Sequence, residues 1–310
     1  MAAVYHAGER AVQERAGVLD QAGFSSRAIQ ARIPAVAQDF LREQVVLVLG
    51  ATDRHGQVWA CLLTGAPGFL RAEGDAGLVI DAHPVPGDPL HPEFVGTDAP
   101  VHVGVIAIEP ASRRRMRMNG RATTTSSGIR VVLDQVYANC PKYIQKRQPR
   151  WTPTNPAAPL RARGLADRQI ALISQADTFF IATADRNGNA DASHRGGSPS
   201  FVEVISSTRL RWPDYVGNAM FATLGNIEVN PAAGLLFPDW ETGNTLQLTG
   251  TARVDWDPDQ AAAFPGAQRL VEFTITEVVE IPGASPLRWS APVYSRFNPR
   301  PVRPSLAHEL

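Results

Sequence analysis

The sequence predicts a mainly β protein with some helix: two similar β-barrels in tandem, packed on one another as a pseudo-dimer. Three observations carry this. First, the chain repeats itself. "DRHGQVWACLLTGAPGF" (53–69) aligns without gaps to "DRNGNADASHRGGSPSF" (185–201), and "HVGVIAIEPASRRRMRMNGRA" (102–122) aligns to "AAGLLFPDWETGNTLQLTGTA" (232–252). Second, the repeated unit is rich in short alternating or apolar β segments, the pattern of an all-β barrel with helical decoration. Third, a proline-rich stretch, "RQPRWTPTNPAAP" (147–159), separates the copies.

Each copy has the same order of elements. A helix comes first, "IPAVAQDFLREQ" (33–44) and "LADRQIALISQA" (165–176), with apolar residues at three- and four-residue steps. An apolar strand follows, "VVLVLGAT" (45–52) and "TFFIATA" (178–184), then the turns "DRHG" and "DRNG". Asp and Asn tolerate turn geometry and Gly supplies positive φ, so a hairpin is expected. Further strands are "GLVIDA" (77–82), "VHVGVIAI" (101–108), "RMRMNGRAT" (115–123) and "IRVVLDQVYA" (129–138), answered by "FVEVI", "AAGLLF", "TLQLTGTARV" and "RLVEFTITEVVEI" (269–281). A short helix is expected in "VGNAMFATLGNIEVNP" (216–231), ending before Pro231. The expected divisions are a helical extension (1–32), a first barrel (33–147), a linker (148–159) whose prolines cannot join a sheet ladder, a second barrel (160–285) and a tail (286–310).

Composition narrows the function. Hydrophobic residues make up 44% of 310, enough for two cores, and 30 basic residues balance 30 acidic ones. A neutral balance argues against a nucleic-acid partner. No stretch reaches the roughly 20 apolar residues of a membrane helix, and the charged N-terminus lacks a signal-peptide pattern, so a cytoplasmic protein is expected. Cys61 and Cys140 do not make a disulfide framework. Cys61, in an apolar strand, reads as a small buried hydrophobe. Asp81, His83, Asp88, His91 and Glu93 lie in a proline-rich loop without regular ligand spacing, so no metal is expected. "RRRMRM" (113–118) reads as a strand with Met116 and Met118 inward and a solvated arginine face. Trp289 reads as a pin for the tail.

The hairpin "ATADRNGNADASHRGGSPSFV" (182–202), with "LRWPDYVGN" (210–218), "LGNIEVNPAAGLLF" (224–237) and "LQLTGTARV" (246–254), resembles the pyridoxamine 5'-phosphate oxidase-like, FMN-binding split-barrel family. The likeness covers most of 170–281 and, more weakly, 33–138. It implies a flavin mononucleotide between two barrels, redox chemistry on a small molecule or electron donor, and a fold of two tandem split barrels. Deazaflavin and haem are the other cofactors it implies, and a non-enzymatic binding or electron-transfer module is the other function. A homodimer is compatible with it.

Carried onto this sequence, the resemblance implies cofactor contacts from Ser193, His194, Arg195 and Gly196 in "ASHRG" and from Trp212, Pro213, Asp214 and Asn218 in "WPDYVGN", with Asn226 in the helix that follows. Ser193 and Arg195 share one strand face, and Arg presents a planar fork to phosphate oxygens. The family's Ser-Arg-Lys cluster is replaced here by "GNAMFAT" (217–223). In the first copy, Cys61, Leu62 and Leu63 stand where the second has Ser193, His194 and Arg195, so one site is expected and one is lost. The chain's two lysines, Lys142 and Lys146, both lie in "NCPKYIQKR" (139–147), just after the last strand of the first copy. Lys142 and Tyr143, with Gln145, are therefore expected to complete the site from the opposite half, and Lys146 to be a solvated charge.

Overall fold

A computed structural model describes residues 4–96 and 99–299. The chain opens with two short helices, α1 (Ala7–Arg15) and α2 (Leu19–Ser25). The first barrel comprises α3 (Ala35–Arg42), β1 (Val46–Thr52), β2 (Val58–Thr64), β3 (Leu70–Glu73), β4 (Gly77–Ile80), α4 (His91–Phe94), β5 (Val101–Glu109), β6 (Arg114–Thr125) and β7 (Gly128–Ala138). After β8 (Pro149–Trp151) and β9 (Leu160–Ala162), the second barrel comprises α5 (Asp167–Gln175), β10 (Thr178–Ala184), β11 (Ala190–Gly196), β12 (Glu203–Ser206), β13 (Arg209–Tyr215), α6 (Ala222–Val229), β14 (Ala232–Pro238), β15 (Thr245–Asp255), α7 (Pro258–Ala262) and β16 (Ala267–Ile281). β17 (Leu287–Trp289) follows.

The two large sheets have one topology. Their strand orders are β2-β1-β5-β6-β7-β4-β3 and β11-β10-β14-β15-β16-β13-β12, with β9 added beside β16. The repeat extends to fine detail. Asp53 Oδ1 accepts the amides of His55 and Gln57 at 2.8 and 2.9 Å, and Asp185 Oδ1 accepts those of Asn187 and Asn189 at the same distances. Gly56 and Gly188 take the positive φ that closes each turn. Both barrels carry a bulge at one equivalent place, between Asn119 and Gly120 and between Thr249 and Gly250. A Cβ on Gly120 would meet the Val132 carbonyl at 2.1 Å and one on Gly250 the Thr274 carbonyl at 2.0 Å, so the bulge requires glycine twice.

Strand alternation builds three cores from two sheets. Leu47 and Leu49 of β1 face the first barrel's interior, while Val46 and Val48 face outward. Phe179 and Ile181 of β10 face the second interior, while Phe180 and Ala182 face outward. The outward faces of β1, β2 and β5 pack on those of β10, β11 and β14, making the apolar seam between halves. Glycines let the backbones touch there. A Cβ on Gly104 would fall 2.4 Å from Asp191, and one on Gly234 2.5 Å from Val58 and 2.6 Å from Trp59, so each barrel receives the other's second strand in the same way.

The linker differs from the sequence expectation. Pro149–Trp151 does join a ladder, pairing antiparallel with Leu287–Trp289. Pro149 stands at the strand's first position, where a missing N–H costs nothing. Arg147 fixes this crossing to the second barrel through a buried ion pair with Asp177, 2.6 Å. Trp289 packs edge-on against Trp240, ring centroids 5.3 Å apart, and so holds the tail. Residues 1–3 of the expected extension and 300–310 of the expected tail lie outside the described residues.

Candidate functional site at the junction of the barrels

The two barrels diverge on one face of their second strand. In β2, Trp59, Cys61 and Leu63 fill the first barrel's core. The equivalent positions of β11 are Asp191, Ser193 and Arg195. Polar side chains cannot fill an apolar interior without partners. Beside them lies a cavity of about 270 Å³, lined in part by Arg195 and Gly196.

The first half supplies partners for it. β6 alternates, with Met116 and Met118 in the first core and Arg115 and Arg117 on the opposite face. That face meets the second barrel, not solvent, which corrects the expectation of a solvated arginine face. Arg117 donates from Nη1 to Asp191 Oδ1 and Oδ2 at 3.2 and 3.1 Å and from Nη2 to Ser193 Oγ. Tyr137 and Thr223 hydroxyls complete the Asp191 carboxylate at 3.3 and 3.2 Å. Arg195 donates to Ser193 Oγ at 2.5 Å. Arg115 reaches His194 Nδ1 at 3.0 Å and the Cys140 carbonyl at 2.8 Å. On the pseudo-symmetric side, Thr245 and Gln247 occupy the positions of Arg115 and Arg117, and Gln247 donates to the Ala60 carbonyl and Asp88. Asp88 is buried and its carboxyl is pushed up to about 7, chiefly by burial.

Positive charge accumulates in the cavity. Burial, with Arg117 and Arg195 nearby, lowers the Arg115 guanidinium to about 9. Burial also lowers Arg195 and Arg269, against the pull of Asp214. Burial first, then Arg115, Arg195 and Arg117, holds His194 well below its ordinary value. His194 is therefore neutral, with Nδ1 accepting from Arg115 and the proton on Nε2. Asp214, 3.6 Å from Arg269, is raised by burial and opposed by Arg195 and Arg269. Arg117 is matched by Asp191, which leaves Arg115, Arg195, Arg269 and Lys142 against Asp214 alone.

The segment 216–224 forms another wall. Ala219 and Phe221 both have φ of +60°, an unusual conformation for non-glycine residues that must be held from outside. The N-terminal extension does this. Gln13 Nε2 donates to the Met220 carbonyl at 3.0 Å, and Ser25 Oγ to the Asn218 carbonyl at 2.7 Å. In a trans peptide the next N–H points the other way, so the amides of Ala219 and Phe221 turn away from the extension. Among the described residues, the amides of Ala222 and Thr223 at the start of α6 meet no backbone acceptor. Val18 and Gln21 of the extension also line the cavity. α1 crosses α6 so closely that a Cβ on Gly8 would sit 2.1 Å from the Gly225 carbonyl.

Of the residues expected from sequence, Lys142, Tyr143, His194, Arg195, Gly196, Pro213, Asp214 and Asn218 line this one cavity. Ser193 lies beneath it, fully buried under Arg117 and Arg195. Tyr143 takes φ of +65°, sets its ring 5.1 Å from that of Tyr215 at a tilt of 36° and donates to the Val216 carbonyl at 3.2 Å. Its own carbonyl occupies the place a Gly196 side chain would take, 2.0 Å from an added Cβ. Three expected residues sit elsewhere. Trp212 is in the second barrel's core, edge-on to Phe179 at 5.1 Å. Gln145 is a buried strut between the Gly197 carbonyl, 3.0 Å, and the Ser295 amide, 2.8 Å. Asn226 bonds Thr183 and His6 and faces a second cavity. Lys146 is exposed and forms a bridge with Val293. Arg115, Arg117 and Arg269 were missed. The alternation of "RRMRM" marks two faces but cannot say that the second barrel covers the charged one.

Residues 165–284 match the family model described as pyridoxamine 5'-phosphate oxidase. The match spans the second barrel, and the first barrel repeats its strand order. Among solved structures, the chain is similar to HupZ of Group A Streptococcus (an H111A form): 14% identity over 37% of this chain and 98% of that one, TM-score 0.31. It is similar to a Clostridium acetobutylicum protein related to general stress protein 26 of the pyridoxinephosphate oxidase family: 11% identity, 39% and 89% covered, TM-score 0.31. It is also similar to an F420 reductase: 15% identity, 40% and 94% covered, TM-score 0.25. No curated protein matches the chain. Among the described residues, no helix is long and apolar enough to cross a membrane.

Proposed function

We propose that the junction cavity binds FMN by its phosphate and that the chain is a flavin-dependent oxidoreductase acting on a small molecule or electron donor. The supporting observation is the excess of cations at the junction: Arg115 is held below its usual range by burial, Arg117 and Arg195, and Arg195 by burial and Arg117. A phosphate dianion would relieve both, accepting from the two guanidinium groups, from Lys142 and from the amides that open α6. These donors come from both barrels, so the pair of barrels forms one site. When bound, the flavin would supply the redox chemistry. The chain's own residues bind and orient it. Ser193 fixes the Arg117 and Arg195 forks, Tyr143 and Tyr215 flank the opening, and Asp214 limits the net charge.

A carrier or sensor without turnover is the second reading. His194, the one imidazole in the cavity among the described residues, already spends Nδ1 on Arg115 and is neutral, so it offers no free acid–base group. The same engagement argues against haem ligation. The visible spectrum of purified protein reconstituted with FMN, followed by steady-state reduction with NAD(P)H, separates the readings. A flavin spectrum with turnover supports the oxidoreductase. A flavin spectrum without turnover supports the carrier, and a Soret band or no chromophore binding overturns both.

A further inference from the structure

A second cavity, of about 610 Å³, lies on the other side of the Arg117–Asp191 pair: Arg117 lines the first cavity and Asp191 the second. We propose that this second cavity is a binding site for a small organic cation, a primary ammonium or amidinium group on a compact carbon chain. The inference does not depend on flavin occupying the first.

The wall includes α1 with Glu9, β6 and β7 with Asn119 and Asp134, the β10–β11 hairpin with Asp185 and Asp191, and α6 with Asn226. Its charge is opposite to that of the first cavity. Asp191 is matched by Arg117, and Asp134 by Arg121 at 3.3 Å. Asp185 has no cation partner among the described residues and is held by its turn amides. Glu9 is only 7% exposed. Its Oε2 accepts the His6 amide at 2.8 Å and lies 3.6 Å from His6 Nε2, whereas no donor among the described residues reaches Oε1. Asn119, 9% exposed, adds a buried Oδ1 that also lacks a donor. Acceptors without donors ask for a ligand that brings donors and positive charge. A metal fits poorly, because no three His, Cys, Asp or Glu side chains among the described residues are arranged to hold one, and the volume suits a carbon skeleton.

Titration gives the site a signature. Burial, with Asp191 and Asp185 adding to it, pushes the Glu9 carboxyl up to about 8. The other titratable groups around it are His6, His102, Asp134 and Arg121. At neutral pH Glu9 is mostly protonated, and a bound cation would expel that proton. Affinity should therefore rise as pH is raised through about 8.

Isothermal titration of the flavin-free protein with putrescine tests this, run at pH 7 in two buffers of different ionisation enthalpy and again at pH 9. The expected result is saturable binding, tighter at pH 9, with proton release at pH 7 and no binding of neutral 1,4-butanediol. Glu9→Gln keeps the acceptor that caps α1, yet should weaken putrescine at least tenfold and abolish the proton release. Asn119→Leu should weaken binding while leaving the proton release in place. No putrescine binding at pH 9, equal binding of the diol, unchanged affinity in Glu9→Gln, or displacement of putrescine by FMN would each overturn the proposal.

Discussion

Arg117 of the first barrel and Asp191 of the second form an ion pair buried at the junction, Nη1 to Oδ2 3.1 Å, with 10% and 3% of the side chains exposed. It joins the halves where the two cavities meet, and it takes Arg117's charge out of the first cavity's balance. Removing one partner leaves the other buried and uncompensated. Asp191→Ala should therefore destabilise the fold by about 3–5 kcal/mol, while Arg117→Met combined with Asp191→Leu should recover much of that loss. Denaturant unfolding measures both. A loss below about 1 kcal/mol in Asp191→Ala would show that water or other acceptors already serve the Arg117 guanidinium.

Gly196→Ala places a methyl against the Tyr143 carbonyl. Backbone must move for it to fit, at a cost of about 1–3 kcal/mol. Because the segment that shifts carries Lys142 and Tyr143, FMN affinity should fall with the melting temperature. A variant that melts normally and binds normally would place the crossing of 143 over β11 outside the site.

Gln13→Ala leaves the Met220 carbonyl without its donor, a buried loss of about 1–3 kcal/mol. The strained turns at Ala219 and Phe221 should then relax. Hydrogen exchange should quicken at the amides of 219–223 while the β10 amides stay protected, and FMN affinity should drop. Unchanged exchange in 219–223 would show that the barrel alone holds the loop.

The pH dependence of flavin binding follows from Arg115. Its lowered value, about 9, means that the free protein loses this cation as pH rises through 9. A phosphate favours the protonated form, so affinity should be steady from pH 7 to 8.5 and fall above about 9. Arg195, lowered for the same first cause, acts in the same direction. Arg115→Ala should flatten the alkaline limb of an FMN titration. A limb that survives in this variant assigns it to another group.

The duplication was readable because it repeats turn and bulge residues in the same order: Asp53 and Asp185, Gly120 and Gly250. The divergence of the two halves was readable too, since Cys61 and Leu63 stand in register with Ser193 and Arg195. What could not be read was contact between halves. The sequence around Arg115 and Arg117 has the alternation of any strand with one wet face, and only the seam of β1, β2 and β5 on β10, β11 and β14 decides that this face is covered. Trp212, Gln145 and Asn226 stood beside the right residues in sequence. Strand alternation sends Trp212 into the core, and the crossing at 143–147 turns Gln145 inward as a strut. The role of the N-terminal extension had no sequence signal, because Gln13 and Ser25 act by bonding carbonyls about 200 positions away.

The central claim is that one FMN phosphate is held at the junction by arginines from both barrels. Fluorescence titration of FMN into the parent protein, Arg115→Ala and Arg195→Ala at low salt tests it most directly. The account predicts one FMN per chain and a loss of about 1.5–3 kcal/mol in each variant, roughly 10- to 150-fold, the size of a charged hydrogen bond. The losses should shrink as salt rises. Two FMN per chain, or full affinity in Arg115→Ala, would contradict it, the first by restoring a site in the first barrel and the second by removing that barrel from the one that remains.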